Sequence, residues 1–322
     1  MTRNNPILYI VIPCYNEEQV LPHTNPMFVG KIEELVKNQE VHPNSKVMYV
    51  NDGSKDKTWE LIQEYASSNP FVVGISQSRN RGHQSSVLAG MYEAAEFADI
   101  VITIDADGQD DIDCMNQMIA EYKTGSEIVY GVRDNRDTDS AFKRITAEGF
   151  YKVMQLFGAD VVFNHADYRL VSKRFIHELA KFKEVNLFLR GIMPLVGFKY
   201  SFVTYKRHER IAGESHYPLS KMFGLAMDGI TSLSIKPIRL ITSLGVMTSL
   251  FSFLLIIWVL WSKFSGTVVA GWASTYAIVS LLGGVQLISL GVIGEYIGKI
   301  YLETKQRPRY IISDRTYDEN ND

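Results

Sequence analysis

Five carboxylates fall within nine residues in the run Asp105-Ala106-Asp107-Gly108-Gln109-Asp110-Asp111-Ile112-Asp113. Crowded together without a cation they repel one another and hold their protons more tightly. Asp111 has an ordinary use as the N-cap of the helix that follows, but Asp105 and Asp107, one residue apart, have no such use. A hard divalent ion, Mg²⁺ or Mn²⁺, does explain them. Such ions take one or two carboxylates and fill the remaining positions with water and substrate phosphate oxygens. The expected ligands are Asp105 and Asp107, with Gln109 adding a neutral oxygen. No His or Cys spacing points to zinc.

Three further polar clusters precede this one: Pro13-Cys14-Tyr15-Asn16-Glu17-Glu18, Asn51-Asp52-Gly53-Ser54-Lys55-Asp56, and Ser78-Arg79-Asn80-Arg81-Gly82-His83. Asn16, Asp52 and Asp56 each have an adequate local explanation as turn residues or helix caps. Taken together, the clusters offer carboxylates, amides and glycine turns suited to a ribose and the edge of a base. A net charge of -3 gives no bulk attraction for nucleic acid, so an anion site has to come from local clustering.

The clusters need a scaffold that brings them together, and the pattern between them supplies one. Short β-branched runs (ILYIVIP, KVMYVND, FVVGIS, DIVITID) alternate with helical segments near residues 27 to 38, 56 to 67 and 84 to 97. This alternation predicts an α/β domain with a mostly parallel sheet and helices on both faces. In open sheets of that kind ligands bind beyond the carboxyl ends of the strands, which is where every cluster falls. Residues 132 to 141 form a charged, turn-rich link. The two cysteines, Cys14 and Cys114, make no disulfide framework and fit a reducing compartment.

Composition then changes sharply. From Leu240 to Gly294 the only ionisable Lys, Arg, Asp or Glu is Lys263. Leu240 to Trp261 and Gly271 to Gly294 are each long enough to cross a hydrocarbon core of about 30 Å. Trp258, Trp261 and Trp272 lie at the ends of these runs, where indole rings settle near headgroups. Lys236 and Arg239 precede the first run, and Lys299, Lys305, Arg307 and Arg309 follow the second, so both ends are expected on the cytoplasmic side. Upstream, Leu219, Met222, Phe223, Ala226, Ile230 and Leu233 recur at helical spacing and predict an amphipathic helix. It lies either in the membrane interface or against the soluble core.

The motifs IVIPCYNEE, VNDGSKDKT, SRNRGHQ, DADGQD, Asn164-His165-Ala166-Asp167-Tyr168-Arg169-Leu170 and Arg207-His208-Glu209-Arg210-Ile211-Ala212-Gly213-Glu214-Ser215, in this order, resemble those of the polyprenyl-phosphate glycosyltransferases. These are membrane-bound members of glycosyltransferase family 2, related to bactoprenol glucosyltransferases and dolichol-phosphate mannose synthase. The resemblance implies a GT-A catalytic domain over residues 1–215, an interfacial amphipathic helix over 216–239, two transmembrane helices over 240–294 and a cytoplasmic tail over 295–322. It also implies a multi-pass protein of the cell membrane that transfers a sugar, with inversion, from a nucleotide sugar to a polyprenyl phosphate. UDP-glucose and UDP-N-acetylglucosamine are the expected donors, and a homo-oligomer such as a tetramer is the expected assembly.

Carried over residue by residue, the resemblance places Pro13, Tyr15, Glu17, Asp52, Asn80 and Asp105 on the nucleotide and Asp105, Asp107 and Gln109 on the metal. Asp107 and Asp167 are the expected catalytic carboxylates, Asp167 orienting or deprotonating the acceptor, with an ion pair to an arginine as its structural alternative. Two anions must meet in such a site, which requires cations. Arg133, Arg144 and Arg207 are expected on the acceptor phosphate, with Arg210 beside them, because guanidinium forks match phosphate oxygens. Arg136 and Lys143 serve equally well as attractors of anionic headgroups. Asn51 and Gly108 depart from the residues common in relatives. The Gln-x-x-Arg-Trp motif of processive polysaccharide synthases is missing, since no tryptophan here follows an arginine.

Overall fold

A computed structural model of the chain describes residues 3–133, 165–185, 188–206, 234–265 and 271–317. The expected cations Arg136, Lys143, Arg144, Arg207 and Arg210 and the amphipathic stripe of residues 219 to 233 lie outside them. In chain order come β1 (Leu8–Cys14), α1 (Leu21–Lys37), β2 (Lys46–Asn51), α2 (Thr58–Ser68), β3 (Val72–Gln77), α3 (His83–Phe97), β4 (Ile100–Thr103), α4 (Cys114–Lys123) and β5 (Ile128–Arg133). There follow β6 (His165–Ser172), α5 (Lys173–Leu179), α6 (Leu189–Leu195), β7 (Tyr200–Tyr205), α7 (Lys236–Phe264), α8 (Trp272–Lys305) and β8 (Ile312–Arg315).

The strands form one sheet in the order β7-β5-β6-β4-β1-β2-β3-β8. β1 pairs in parallel with both β2 and β4, so strand order reverses at the β1–β4 junction, the place where open sheets leave a crevice. Strand β1 is buried along its whole length, as expected of a central strand covered on both faces. Its side chains alternate between two cores. Leu8, Ile10 and Ile12 pack with Phe28 and Leu35 of α1 and Met115 and Met118 of α4. Tyr9 and Val11 pack with Leu88 and Met91 of α3 and Phe175 of α5.

Three details add to the expected pattern. Helix α1 starts at Leu21, ahead of Pro26, because Pro22 suits a first turn and the buried Leu21, Thr24 and Phe28 hold the segment helical through the second proline. β6 runs antiparallel between β4 and β5, which makes the sheet mixed. Within residues 295–322, expected as a cytoplasmic tail, α8 continues to Lys305, and β8 pairs antiparallel with β3 at the sheet edge.

Helices α7 and α8 are long and apolar enough to cross a membrane, through windows at Lys236–Leu254 and Leu281–Lys305 that are not buried by the rest of the chain. The Tyr296 hydroxyl donates to the Ser234 carbonyl at 2.5 Å. Glu303 near the end of α8 accepts from the Val185 amide at 2.8 Å, and Arg309 donates to the Phe182 carbonyl. The first contact joins the two ends of the hairpin, and the other two tie the end of α8 and the segment after it to the α/β domain.

Candidate active site

The loops after β1 and β2 are laced together. Asn16 adopts a left-handed backbone with φ 55°. Its side-chain oxygen accepts from the Lys55 amide at 2.9 Å, and its own amide donates to Ser54 Oγ at 3.0 Å. Glu17 and Glu18 donate their amides to Thr58 Oγ1 and Asp56 Oδ2. Asp56 also caps the start of α2 by accepting from the Thr58 amide. Of the expected nucleotide residues, Pro13 is buried at the strand end, while Tyr15 and Asn80 are exposed at the mouth of the crevice.

Asp52 is buried, and its two oxygens accept from the amides of Arg81 at 2.7 Å and Gly82 at 2.9 Å. Burial pushes its carboxyl up from the ordinary range, and the two N–H donors act against that shift. Asp52 thereby ties the tip of β2 to the loop entering α3. Gly53 lets the two loops touch, since a Cβ there would sit 2.5 Å from the Arg79 carbonyl carbon.

The five clustered carboxylates divide into two sets. Asp110 is buried and accepts from the Tyr205 hydroxyl at 2.7 Å, with Arg133 Nη2 at 3.9 Å. Asp113 pairs with the buried Lys31 at 2.7 Å and occupies the cap position of α4, where Asp111 was expected. Asp111 instead accepts from the Asp113 amide at 2.9 Å. Asp105 and Asp107 stand at the tip of β4, where Asp107 accepts from the Gln109 backbone amide at 3.1 Å. Burial raises the Asp105 carboxyl, and the charges of Asp167 and Asp107 push it further up, against His83 and Arg133. Gly108, directly after Asp107, has φ 67°, a left-handed turn that accounts for glycine there.

Among the described residues no three His, Cys, Asp or Glu side chains group into a full protein-built metal shell. The donor set of Asp105, Asp107 and the amide of Gln109 fits a hard ion of the Mg²⁺ or Mn²⁺ type, which needs only one or two carboxylates from the protein. Burial and the neighbouring Asp167 and Asp107 charges disfavour an ionised Asp105, a cost that such an ion would offset.

Asp167 lies across the crevice tip on β6, one strand from the acidic pair. The Thr103 hydroxyl of β4 donates to its backbone carbonyl at 2.6 Å and fixes the two strands in register. Its carboxylate is paired with Arg169 and, at 3.0 Å, with Arg190 Nη2. His83 Nε2 stands 3.5 Å from Asp167 and 3.7 Å from Asp105, bridging the two carboxylates. Burial by itself would raise the Asp167 carboxyl, but Arg190, His83 and Arg169 outweigh it and hold the group well below the usual carboxylate range. The ion-paired alternative for Asp167 is thus realised, and at the position expected to face the acceptor.

Of the expected acceptor cations, Arg133 lies within the described residues. It stands at the end of β5, with its Nε 3.4 Å from the Tyr205 hydroxyl. His83, Arg190 and Tyr205 belong to the site without having been singled out in the sequence. His83 closes a motif that was visible, at the first position of α3. Arg190 and Tyr205 carry no local signal, since they meet Asp167 and Asp110 only through the fold.

The glycosyl transferase family 2 profile matches residues 9–180, and the GtrB C-terminal hairpin profile matches residues 236–300. An uncharacterized glycosyltransferase of Bacillus subtilis, YkoT, is 46% identical over 319 residues, covering 99% of this chain and 95% of its own length. The bactoprenol glucosyl transferase of Shigella phage SfX is 39% identical over 309 residues, covering 95% of this chain and 98% of its own. Among solved structures, glucosyl-3-phosphoglycerate synthase from Mycobacterium tuberculosis overlays at 15% identity with a TM-score of 0.45, across 72% of this chain and 80% of its own.

Proposed function

The chain belongs to glycosyl transferase family 2 and is a glycosyltransferase with a GtrB-type hairpin, and we propose that it glycosylates a polyprenyl phosphate from a nucleotide sugar. The observation that carries this reading is the pairing, in one crevice, of an acidic tip with an arginine-locked carboxylate. Asp105 and Asp107 stand on one side, and Asp167 with Arg169 and Arg190 on the other. The relatives named bactoprenol glucosyl transferase support glucose ahead of N-acetylglucosamine as the sugar, and in this reading UDP-glucose is the donor.

In this reading Pro13, Tyr15, Glu17, Asp52 and Asn80 surround the nucleoside at the tips of β1 to β3. Asp105, Asp107 and Gln109 would hold a divalent ion, which neutralises the charge that grows on the departing nucleoside diphosphate and so favours the transition state over the ground state. The acceptor needs little help to become a nucleophile, because a phosphate monoester with a second pKa near 6 is mostly dianionic at neutral pH. Asp167 is ionised but a weak base, so its role is to orient the incoming phosphate. Attack from the face opposite the leaving group inverts the anomeric carbon.

Arg133, Arg144, Arg207 and Arg210 are the cations assigned to the lipid phosphate. The contacts of Ser234, Glu303 and Arg309 support a hairpin whose two ends share one membrane face, the cytoplasmic one by the placement of its Lys and Arg. Assembly as a homo-oligomer belongs to the same proposal.

The test is direct. Purified protein is incubated with undecaprenyl phosphate, Mg²⁺ or Mn²⁺ and a panel of radiolabelled nucleotide sugars, and label is followed into the organic phase. Label from UDP-glucose in the lipid supports the reading. No label from any donor contradicts it.

A further inference from the structure

We infer that Arg190 binds a phosphate oxygen of a substrate, in addition to pairing with Asp167. This rests on the transfer to a lipid phosphate proposed above, and it adds a cation that no sequence motif marks. Asp167 already has a dedicated counter-ion in Arg169, whose side chain is wholly buried. Arg169 also donates to Met193 Sδ at 2.8 Å and to the Asp167 carbonyl at 3.3 Å, so it is committed to the protein interior. Arg190 reaches the same carboxylate through two nitrogens, at 3.0 and 3.3 Å, yet keeps 38% of its side chain exposed. One carboxylate therefore holds two guanidiniums, and only one of them reaches solvent.

Its mounting is rigid. The first residue of α6, Leu189, donates its amide to Gln84 Oε1 at 2.8 Å, and Leu189, Ile192 and Met193 are buried against the sheet. Gln84 follows His83, whose ring stands between Asp167 and Asp105. Arg190 is thus two side chains, Asp167 and His83, removed from Asp105 at the acidic tip that the donor diphosphate must approach. Arg133, by contrast, is tied to Tyr205 and Asp110 at the end of β5. A site lined by Asp105, Asp107 and Asp167 has to admit two anionic substrates, and a guanidinium with a solvent-facing side matches phosphate oxygens in charge and geometry. Both a diphosphate and a lipid phosphate offer such oxygens.

The experiment uses the full chain in nanodiscs, with Arg190→Gln and the charge-keeping Arg190→Lys. One arm measures the affinity for UDP with Mn²⁺ and for uridine; the other measures KM for undecaprenyl phosphate. Arg190→Gln is expected to weaken one of the two anions by about tenfold or more while leaving uridine unchanged, with Arg190→Lys partly restored. Lost UDP affinity assigns the donor diphosphate, and a raised lipid KM assigns the acceptor. The same loss should persist in an Asp167→Asn background. If kcat falls while both constants stay unchanged, or if the loss vanishes in that background, Arg190 acts only through Asp167 and the inference is overturned. Should the unaltered protein transfer no sugar, the lipid-phosphate reading fails, and the UDP arm alone decides, unchanged affinity counting against Arg190.

Discussion

The Tyr205 hydroxyl donates a 2.7 Å hydrogen bond to the buried carboxylate of Asp110, joining the end of β7 to the acidic loop after β4. The same hydroxyl lies 3.4 Å from Arg133 Nε. Asp110 thus serves as an anchor for Arg133, and the loop that carries Asp105 and Asp107 is braced at its far end. Burial and the Asp110 carboxylate both keep the Tyr205 phenol protonated, in the donor state that this bond requires.

Removing that hydroxyl should loosen Arg133 without touching the acidic tip. Tyr205→Phe leaves Asp110 short of a donor, and the expected loss of stability is about 1–3 kcal/mol by denaturant unfolding of the soluble domain signal. In transfer assays KM for undecaprenyl phosphate should rise several-fold while the donor KM stays put. Equal rises for both substrates would contradict the assignment of Arg133 to the acceptor.

Helix α3, which carries His83 and Gln84 at its start, lies directly on the sheet at Gly90. A Cβ at this position would meet Val11 Cγ1 at 2.3 Å and Val50 Cγ2 at 2.7 Å. Gly90→Ala should therefore destabilise the protein by about 1–3 kcal/mol through overpacking, despite alanine's better helix propensity. A thermal melt that matches or exceeds that of the unaltered protein would show that the helix can lift off β1 and β2 at no cost.

The strand that returns from the apolar hairpin makes its own measurable contribution. Arg315 pairs with Glu93 of α3, Tyr317 donates to the same carboxylate at 3.0 Å, and Thr316 Oγ1 accepts from the Gly74 amide at 2.8 Å. Arg315→Ala should cost roughly 1–3 kcal/mol, because Glu93 is left partly buried with one partner fewer. Hydrogen exchange at the β3 edge should rise in this variant. Unchanged protection there would show that β8 holds its place without the ion pair.

Much of this fold was readable in the sequence, and the reasons are local. The apolar runs of β1 to β4 alternate with helices at a spacing that leaves few topologies, so the clusters at Pro13, Asn51, Ser78 and Asp105 had to share one edge of a sheet. Asp105 and Asp107 stood out because two carboxylates one residue apart, with no capping role, are what a hard cation would use. What stayed hidden depends on contacts far apart in the chain. The direction of β6 and the pairing of β8 with β3 leave no periodicity of their own. Arg190 is 23 residues from Asp167, and nothing in Asn186-Leu187-Phe188-Leu189-Arg190 announces the ion pair. Helix α1 begins ahead of Pro26 because burial of Leu21 and Phe28 outweighs the lost hydrogen bond.

The acidic tip of β4 bears the central claim, and one variant tests it most directly. Asp107→Asn keeps the shape of the side chain and removes one of the two charges offered to a divalent ion. Measured side by side with the unaltered protein, label transferred from UDP-glucose to undecaprenyl phosphate should fall by at least about a hundredfold, and Mn²⁺-dependent UDP binding should weaken with it. Transfer at the unaltered rate would contradict the assignment of Asp105 and Asp107 to the chemistry of the departing diphosphate.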